Sequence, residues 1–164
     1  MIKKMVVASF LLLSFSQPIF AQSWLKKEDS SKKSKGWIED FTEAKKEAKQ
    51  KKQPIFVLFT GSDWCPWCVR LEDEVLKTKD FKNFASANMV LFKADYLRGK
   101  PMPAKLKTQN DALKNRLSVQ GFPTVILMDA EEKVLGQTGY RRGGGKGYVE
   151  HLREIFERAG IKNG

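Results

Sequence analysis

Ile55, Phe56, Val57, Leu58 and Phe59 form an unbroken apolar run with no polar position between them. A strand with one wet face alternates, whereas a continuous run fits a strand covered on both faces, so this segment is predicted to lie mid-sheet. Ahead of it, Trp37, Ile38, Phe41, Ala44 and Ala48 recur at helical spacing among Glu and Lys until Pro54 forces a stop. That spacing predicts an amphipathic helix packed on a core. Behind the run, Thr60-Gly61-Ser62-Asp63 reads as a turn. A helical stretch from Cys65 to Lys77 follows, with Val69, Leu71, Val75 and Leu76 as its apolar members.

A helical segment from Asp80 to Ala87 then leads to a second strand, Met89 to Ala94, which makes a parallel strand-helix-strand crossover. Tyr96 to Pro103 is a loop by its Gly and Pro content, and a helix is expected around Asn110 to Leu117. Thr124 to Met128 and Lys133 to Gln137, separated by Asp129-Ala130-Glu131-Glu132, read as a hairpin. Tyr148, Leu152, Ile155 and Phe156 stripe a closing helix that ends near Gly160. The run Gly143-Gly144-Gly145-Lys146-Gly147 fails as a phosphate loop, because Tyr140 stands where the first Gly is required and Gly147 where Ser or Thr is. It is expected to be a flexible connection. Together these elements predict an α/β fold with a central mixed sheet flanked by helices.

The first residues differ from the rest. Lys3 and Lys4 precede the apolar stretch Met5 to Phe15, and Ile19-Phe20-Ala21 ends on a small residue, the layout of a secretory signal peptide over 1–21. Export, to a bacterial periplasm or an equivalent compartment, follows from that layout, with membrane attachment only if the segment is retained. Residues 22–36 are Ser- and Lys-rich with Trp24 and Leu25 as the large apolar members, a composition suited to a flexible basic linker. The folded domain is expected over 37–164. Thirty basic against 19 acidic side chains give a net charge of +11, and loss of Lys3 and Lys4 with the signal leaves +9. The Lys residues cluster between Lys26 and Lys52 rather than on a recognisable nucleic-acid-binding module, which argues against a nucleic-acid partner and for a solvated tether and helix face.

The chemistry resides in Trp64-Cys65-Pro66-Trp67-Cys68, which holds both cysteines of the chain at a strand-to-helix junction. Unpaired backbone N–H groups and the positive end of a helix dipole stabilise a thiolate there, which makes Cys65 the candidate nucleophile. Cys68, one turn on, is placed to close a disulfide with Cys65 and expel a substrate thiol. Pro66 suits the first helical turn, and Trp64 and Trp67 offer apolar surface around a sulfur expected to be exposed. Zinc wants a full tetrahedral set, and the chain offers only two Cys and one His, so no metal is expected. Covalent haem wants His after the second Cys, where Val69 stands. A purely structural disulfide stays open, although so short a loop removes little unfolded-state entropy.

A strand ending in Trp-Cys-x-x-Cys, a crossover, then Gly121-Phe122-Pro123-Thr124 opening a hairpin and a final helix resembles the thioredoxin superfamily from about Trp37 to Ala159. The stretch from Trp37 through Phe59-Thr60-Gly61-Ser62-Asp63-Trp64-Cys65 is especially similar to exported bacterial thioredoxin-like proteins described as disulfide isomerases or reductases. The resemblance implies a thioredoxin-like fold and thiol–disulfide exchange with no cofactor. It further implies that Pro123 is cis and faces the cysteines, and that Phe122 and Pro123 contact an extended substrate. Exported cysteine-containing proteins would be the clients, and a membrane thiol carrier a possible electron donor. Gly139-Tyr140 matches a loop beside the substrate groove. Two departures stand out: Leu58 occupies the place of the family's buried acid, and Pro66-Trp67 is not a familiar central dipeptide.

The proton acceptor for Cys68 is thus unassigned, with Asp63 and Glu72 expected to be solvated charges and His151 a surface residue. Tyr96 to Pro103 follows the end of a parallel strand and should border the site. The reading on sequence is a thiol–disulfide oxidoreductase acting as reductase or isomerase. A net oxidase, and a non-catalytic binding or chaperone-like module, are its alternatives.

Overall fold

The computed structural model describes residues 36–161, so the signal segment 1–21 and the linker up to residue 35 lie outside the described residues. Five strands form one sheet in the order β1-β3-β2-β4-β5. β2 (Ile55–Thr60) lies at its centre, parallel to β3 (Val90–Asp95) and antiparallel to β4 (Thr124–Met128). β5 (Val134–Thr138) pairs antiparallel with β4, and β1 (Trp37–Ile38) pairs parallel with β3. Every residue of β2 is buried, as its unbroken apolar run predicts. Phe56 and Leu58 enter one core, and Ile55, Val57 and Phe59 the other.

Helix α1 (Phe41–Lys51) begins later than the helical spacing suggests. Asp40 has extended backbone and its carboxylate accepts from Thr42 N at 2.9 Å and Glu43 N at 3.2 Å, which sets the first turn. Trp37 and Ile38 are therefore strand, opposite Leu91 and Phe92. Their alternation sends Ile38 into the core under α1 and Trp37 to the other face, edge-on to Phe56 with centroids 5.9 Å apart. The Ile38–Phe41 spacing mimics a helical repeat only because both side chains reach the same core.

The helix after β2 is α2 (Pro66–Leu71), which passes into one π-helical turn, Glu72–Leu76. With the wider turn, the successive residues Val75 and Leu76 are both buried. Thr78 caps α3 (Lys79–Asn88) through its Oγ1, which accepts from Phe81 N and donates to Val75 O at 2.6 Å. Helix α4 (Ala104–Arg116) starts directly after Pro103, six residues before the expected start, because only Asn110 and Leu113 of its thirteen residues are buried and the apolar period is faint.

Helix α5 (Gly144–Arg158) corrects the expectation of a flexible glycine connection. Gly143 adopts a left-handed φ of 114° and the next glycines are the first turn of the helix. A Cβ on Gly145 would stand 1.9 Å from Thr78 Oγ1 and 2.8 Å from Thr78 Cβ, so the glycine is what lets α5 close on the cap of α3. Gly145→Ala is expected to lower stability by about 1–3 kcal/mol through this overpacking. Urea unfolding checks it, and an unchanged midpoint would show that α5 does not need the close approach.

Candidate functional site

The chain leaves β2 at Thr60 and turns through Gly61, whose carbonyl accepts from both Trp64 N at 3.2 Å and Cys65 N at 2.9 Å. The Trp64 indole lies so close over Gly61 that a Cβ there would meet ring atoms at 2.4 Å. Cys65 occupies the N-cap position with extended backbone, and its carbonyl accepts from Cys68 N and Val69 N at 3.0 and 3.1 Å. Pro66 takes the first helical position, where a missing N–H removes no helical bond. Both thiols are free.

Cys65 Sγ lies 3.6 Å from the carbonyl oxygen of Phe122, and the Phe122–Pro123 peptide bond is cis. Cys65 is only 5% exposed, which corrects the expectation of an open sulfur. A tight aromatic group stands beside it. Tyr96 stacks on Phe122 at 5.0 Å, Trp64 meets Phe122 edge-on at 5.9 Å, and Trp64 Nε1 donates to Tyr96 O at 2.6 Å. The Arg98 guanidinium carbon lies 3.7 Å from the Trp64 ring centroid. Trp64 is thus half-buried and bonded, whereas Trp67 is 50% exposed and rests against Tyr140 with centroids 5.4 Å apart. Gly139, whose Cβ would be 3.1 Å from the Pro123 carbonyl oxygen, brings the Gly139-Tyr140 loop to the same place.

The loop Tyr96 to Pro103 borders the site, and Asp63 is what ties it there. The Asp63 carboxylate accepts from Gly99 N at 2.6 Å and from Arg98 N at 3.1 Å. These N–H groups, Gly99's first, hold the Asp63 carboxyl below its ordinary value. Asp63 is exposed, as expected, but it is an anchor as well as a solvated charge. An Asp just before an N-cap, with a Gly-containing loop following the neighbouring strand, was the available sequence signal. Asp95 fixes the same turn, accepting from Ser62 N at 3.0 Å and Ser62 Oγ at 2.6 Å.

Cys68 sits deeper, 3% exposed, with its sulfur accepting from Gly61 N at 3.4 Å. Burial pushes its pKa up to about 11, the Cys65 side chain adds to the rise, and Thr60 and Gly61 oppose it. Behind it lies a cavity of about 180 Å³ whose lining includes Leu58, Thr60, Glu72 and Lys93. Leu58 is core, opposite Lys93 in register, so the position of the family's buried acid is apolar and the cavity beside it carries the polar groups. Among the described residues no group of three or more His, Cys, Asp or Glu could hold a metal ion. His151 is half-buried, with Nε2 3.0 Å from Thr138 Oγ1, so it belongs to the β5–α5 junction rather than to open surface. Burial, then Arg141, lowers its pKa.

A mixed sheet with two cysteines at the end of its central parallel strand, facing a cis-proline turn across the groove, defines a thioredoxin-fold dithiol protein. Residues 41–144 match the model of the thioredoxin-like domain family, and the chain belongs to that family. It is 36% identical over 119 residues to a Chlamydia pneumoniae protein named disulfide bond reductase DsbH, covering 73% of this chain and 72% of that one. It is 30% identical over 138 residues to the thioredoxin-related protein DsbJ of Chlamydia pneumoniae, covering 84% of this chain but 38% of that relative. A solved structure of a DsbH oxidoreductase superposes with a TM-score of 0.70 at 35% identity, covering 72% of this chain and 82% of that one. The protein is accordingly a thiol–disulfide oxidoreductase of the thioredoxin superfamily.

Because burial is the first cause of the raised Cys68 value, a Cys65→Ser variant keeps it. Thiolate ultraviolet absorbance of that variant is expected to rise with a midpoint well above the ordinary 9.0, and a midpoint at 9.0 would contradict the buried setting.

Proposed function

We propose that the protein is an exported disulfide reductase in which Cys65 is the nucleophile and Cys68 the resolving thiol. The observation that carries this reading is the placement of Cys65 Sγ 3.6 Å from the Phe122 carbonyl oxygen, at the mouth of the groove, with Cys68 buried one turn behind it. The Cys65 thiolate attacks one sulfur of a client disulfide, forming a mixed disulfide and releasing the first client thiolate. Cys68 then loses its proton, which the departing client sulfur takes up through solvent, and attacks Cys65 Sγ. The second client thiol leaves reduced and the Cys65–Cys68 disulfide forms, so the client gains the two electrons the pair loses. The short turn between them makes the second step intramolecular. Phe122 and Pro123 line the groove where an extended client segment would lie, and Trp67 and Pro66 are the exposed members of the motif that would meet it.

Reduction rather than isomerisation is favoured by the relative named as a disulfide bond reductase, at 36% identity. The signal-like layout of residues 1–21 supports an exported site of action with exported cysteine-containing clients. A membrane thiol carrier is the kind of donor that would restore the dithiol there. Among the described residues no helix is long and apolar enough to cross a membrane.

Cys68→Ser is expected to accumulate mixed disulfides with clients, visible as adducts on non-reducing gels that disappear with dithiothreitol, and Cys65→Ser to form none. In glutathione buffers the Cys65–Cys68 pair should equilibrate nearer the thioredoxin value of about −270 mV than the oxidase value of about −120 mV. Adducts through Cys68 alone would reverse the assigned roles, and an oxidising potential would reverse the direction.

A further inference from the structure

We infer that the rim of the cysteine groove is built to receive client disulfides embedded in acidic chain segments. This rests on the reductase reading above and specifies its substrate class. Two arginines flank the groove, each laid on an aromatic ring of the motif. On one side the Arg70 guanidinium carbon is 5.1 Å from the centroid of Trp67, and on the other that of Arg98 is 3.7 Å from Trp64. Both arginines are exposed, and the Arg98 charge also acts on the Asp63 carboxylate that its own N–H meets. A guanidinium over an aromatic ring can still offer its N–H groups to a carboxylate in two parallel bonds.

Two carboxylates of the rim already have partners. Asp63 accepts from the backbone of Arg98 and Gly99, and Glu74 Oε2 accepts from the Tyr140 hydroxyl at 2.5 Å. Arg142 adds a third positive charge beside Tyr140, where it acts with Arg70 to oppose the rise that Glu74 produces in the tyrosine's pKa. Cys65 Sγ and the Phe122 carbonyl oxygen lie beside the same aromatic group, since Trp64 meets the Phe122 ring. A client segment crossing the groove therefore has an aromatic surface under its disulfide and a cation on either side of it. Carboxylates flanking the client cysteine complement that arrangement, and Lys or Arg there meet like charge.

The test uses the pre-reduced protein and three peptides of one length, each with a single disulfide flanked by Glu, by Gln or by Lys. Single-turnover reduction of the Glu peptide is expected to be roughly ten-fold faster than that of the Gln peptide, with the Lys peptide slower still. The spread should narrow as salt is raised. In an Arg70→Gln/Arg98→Gln variant the ratio of Glu to Lys rates should collapse toward one. That ratio is internal to each protein, so a general loss of activity does not imitate it. Equal rates for all three peptides with the unaltered protein would overturn the inference and leave the reductase reading standing. Reduction of none of them would overturn both.

Discussion

The site depends on the burial of one strand. Every side chain of β2 is inside, so the strand must be covered on both faces and paired on both edges. Parallel pairing with β3 brings Thr60 opposite Asp95, and antiparallel pairing with β4 brings Phe59 opposite Thr124. The carboxyl ends of β2 and β3 and the start of β4 therefore meet at one end of the sheet. Cys65, Tyr96 and Phe122, each just outside one of those ends, converge for that reason and for no more local one. A one-residue slip in either pairing would turn the strand's two apolar sets to the wrong cores and carry the three site segments out of alignment together.

The same burial sets the electrostatics. Cys68 is on the inner side of α2, against the end of β2, and its thiol is held neutral by the apolar surroundings that stabilise the sheet. A thiol whose pKa is raised by folding contributes stability that is complete below its ordinary value of 9.0 and is lost as pH climbs toward about 11. At neutral pH Cys68 is thus protonated in the resting dithiol, and the proposed resolving step has to remove that proton. Leu58 deepens that setting, while Thr60, Gly61 and the polar cavity wall with Glu72 and Lys93 moderate it.

What the sequence disclosed was what repeats or what is chemically rare. The unbroken run at Ile55 to Phe59, the hairpin around Asp129 and the stripe of Tyr148, Leu152, Ile155 and Phe156 are all governed by periodicity, and each lies where its pattern puts it. The cysteine pair is legible as chemistry by its spacing together with the later Phe122-Pro123-Thr124. Trp37 and Ile38 misled because two side chains can share a core across a strand–helix boundary, and the decisive signal was the capping carboxylate of Asp40. The glycines at 143–147 misled because composition registers their freedom and not the close approach to Thr78 that requires them. Asp63 was hidden for a related reason, since its partners are backbone N–H groups thirty-five residues away, which no side-chain pattern reveals.

The two tryptophans of the motif show how far neighbours decide what a residue does. Both flank Cys65 and are chemically identical, yet Trp64 packs on Gly61, bonds Tyr96 and lies beneath Arg98, while Trp67 is half open to solvent. The difference follows from helix geometry. Trp64 precedes the N-cap, where the chain still runs toward the sheet and its loops, and Trp67 occupies the first turn on the side away from the core that holds Cys68 and Leu71. One indole therefore builds the wall of the groove and the other forms its lip. An aromatic wall that is hydrogen-bonded and clamped by a neighbouring loop would leave less ordering to be done if the proposed client segment lay against it. Adaptability is left to Trp67, whose neighbours are a tyrosine and an arginine rather than the core.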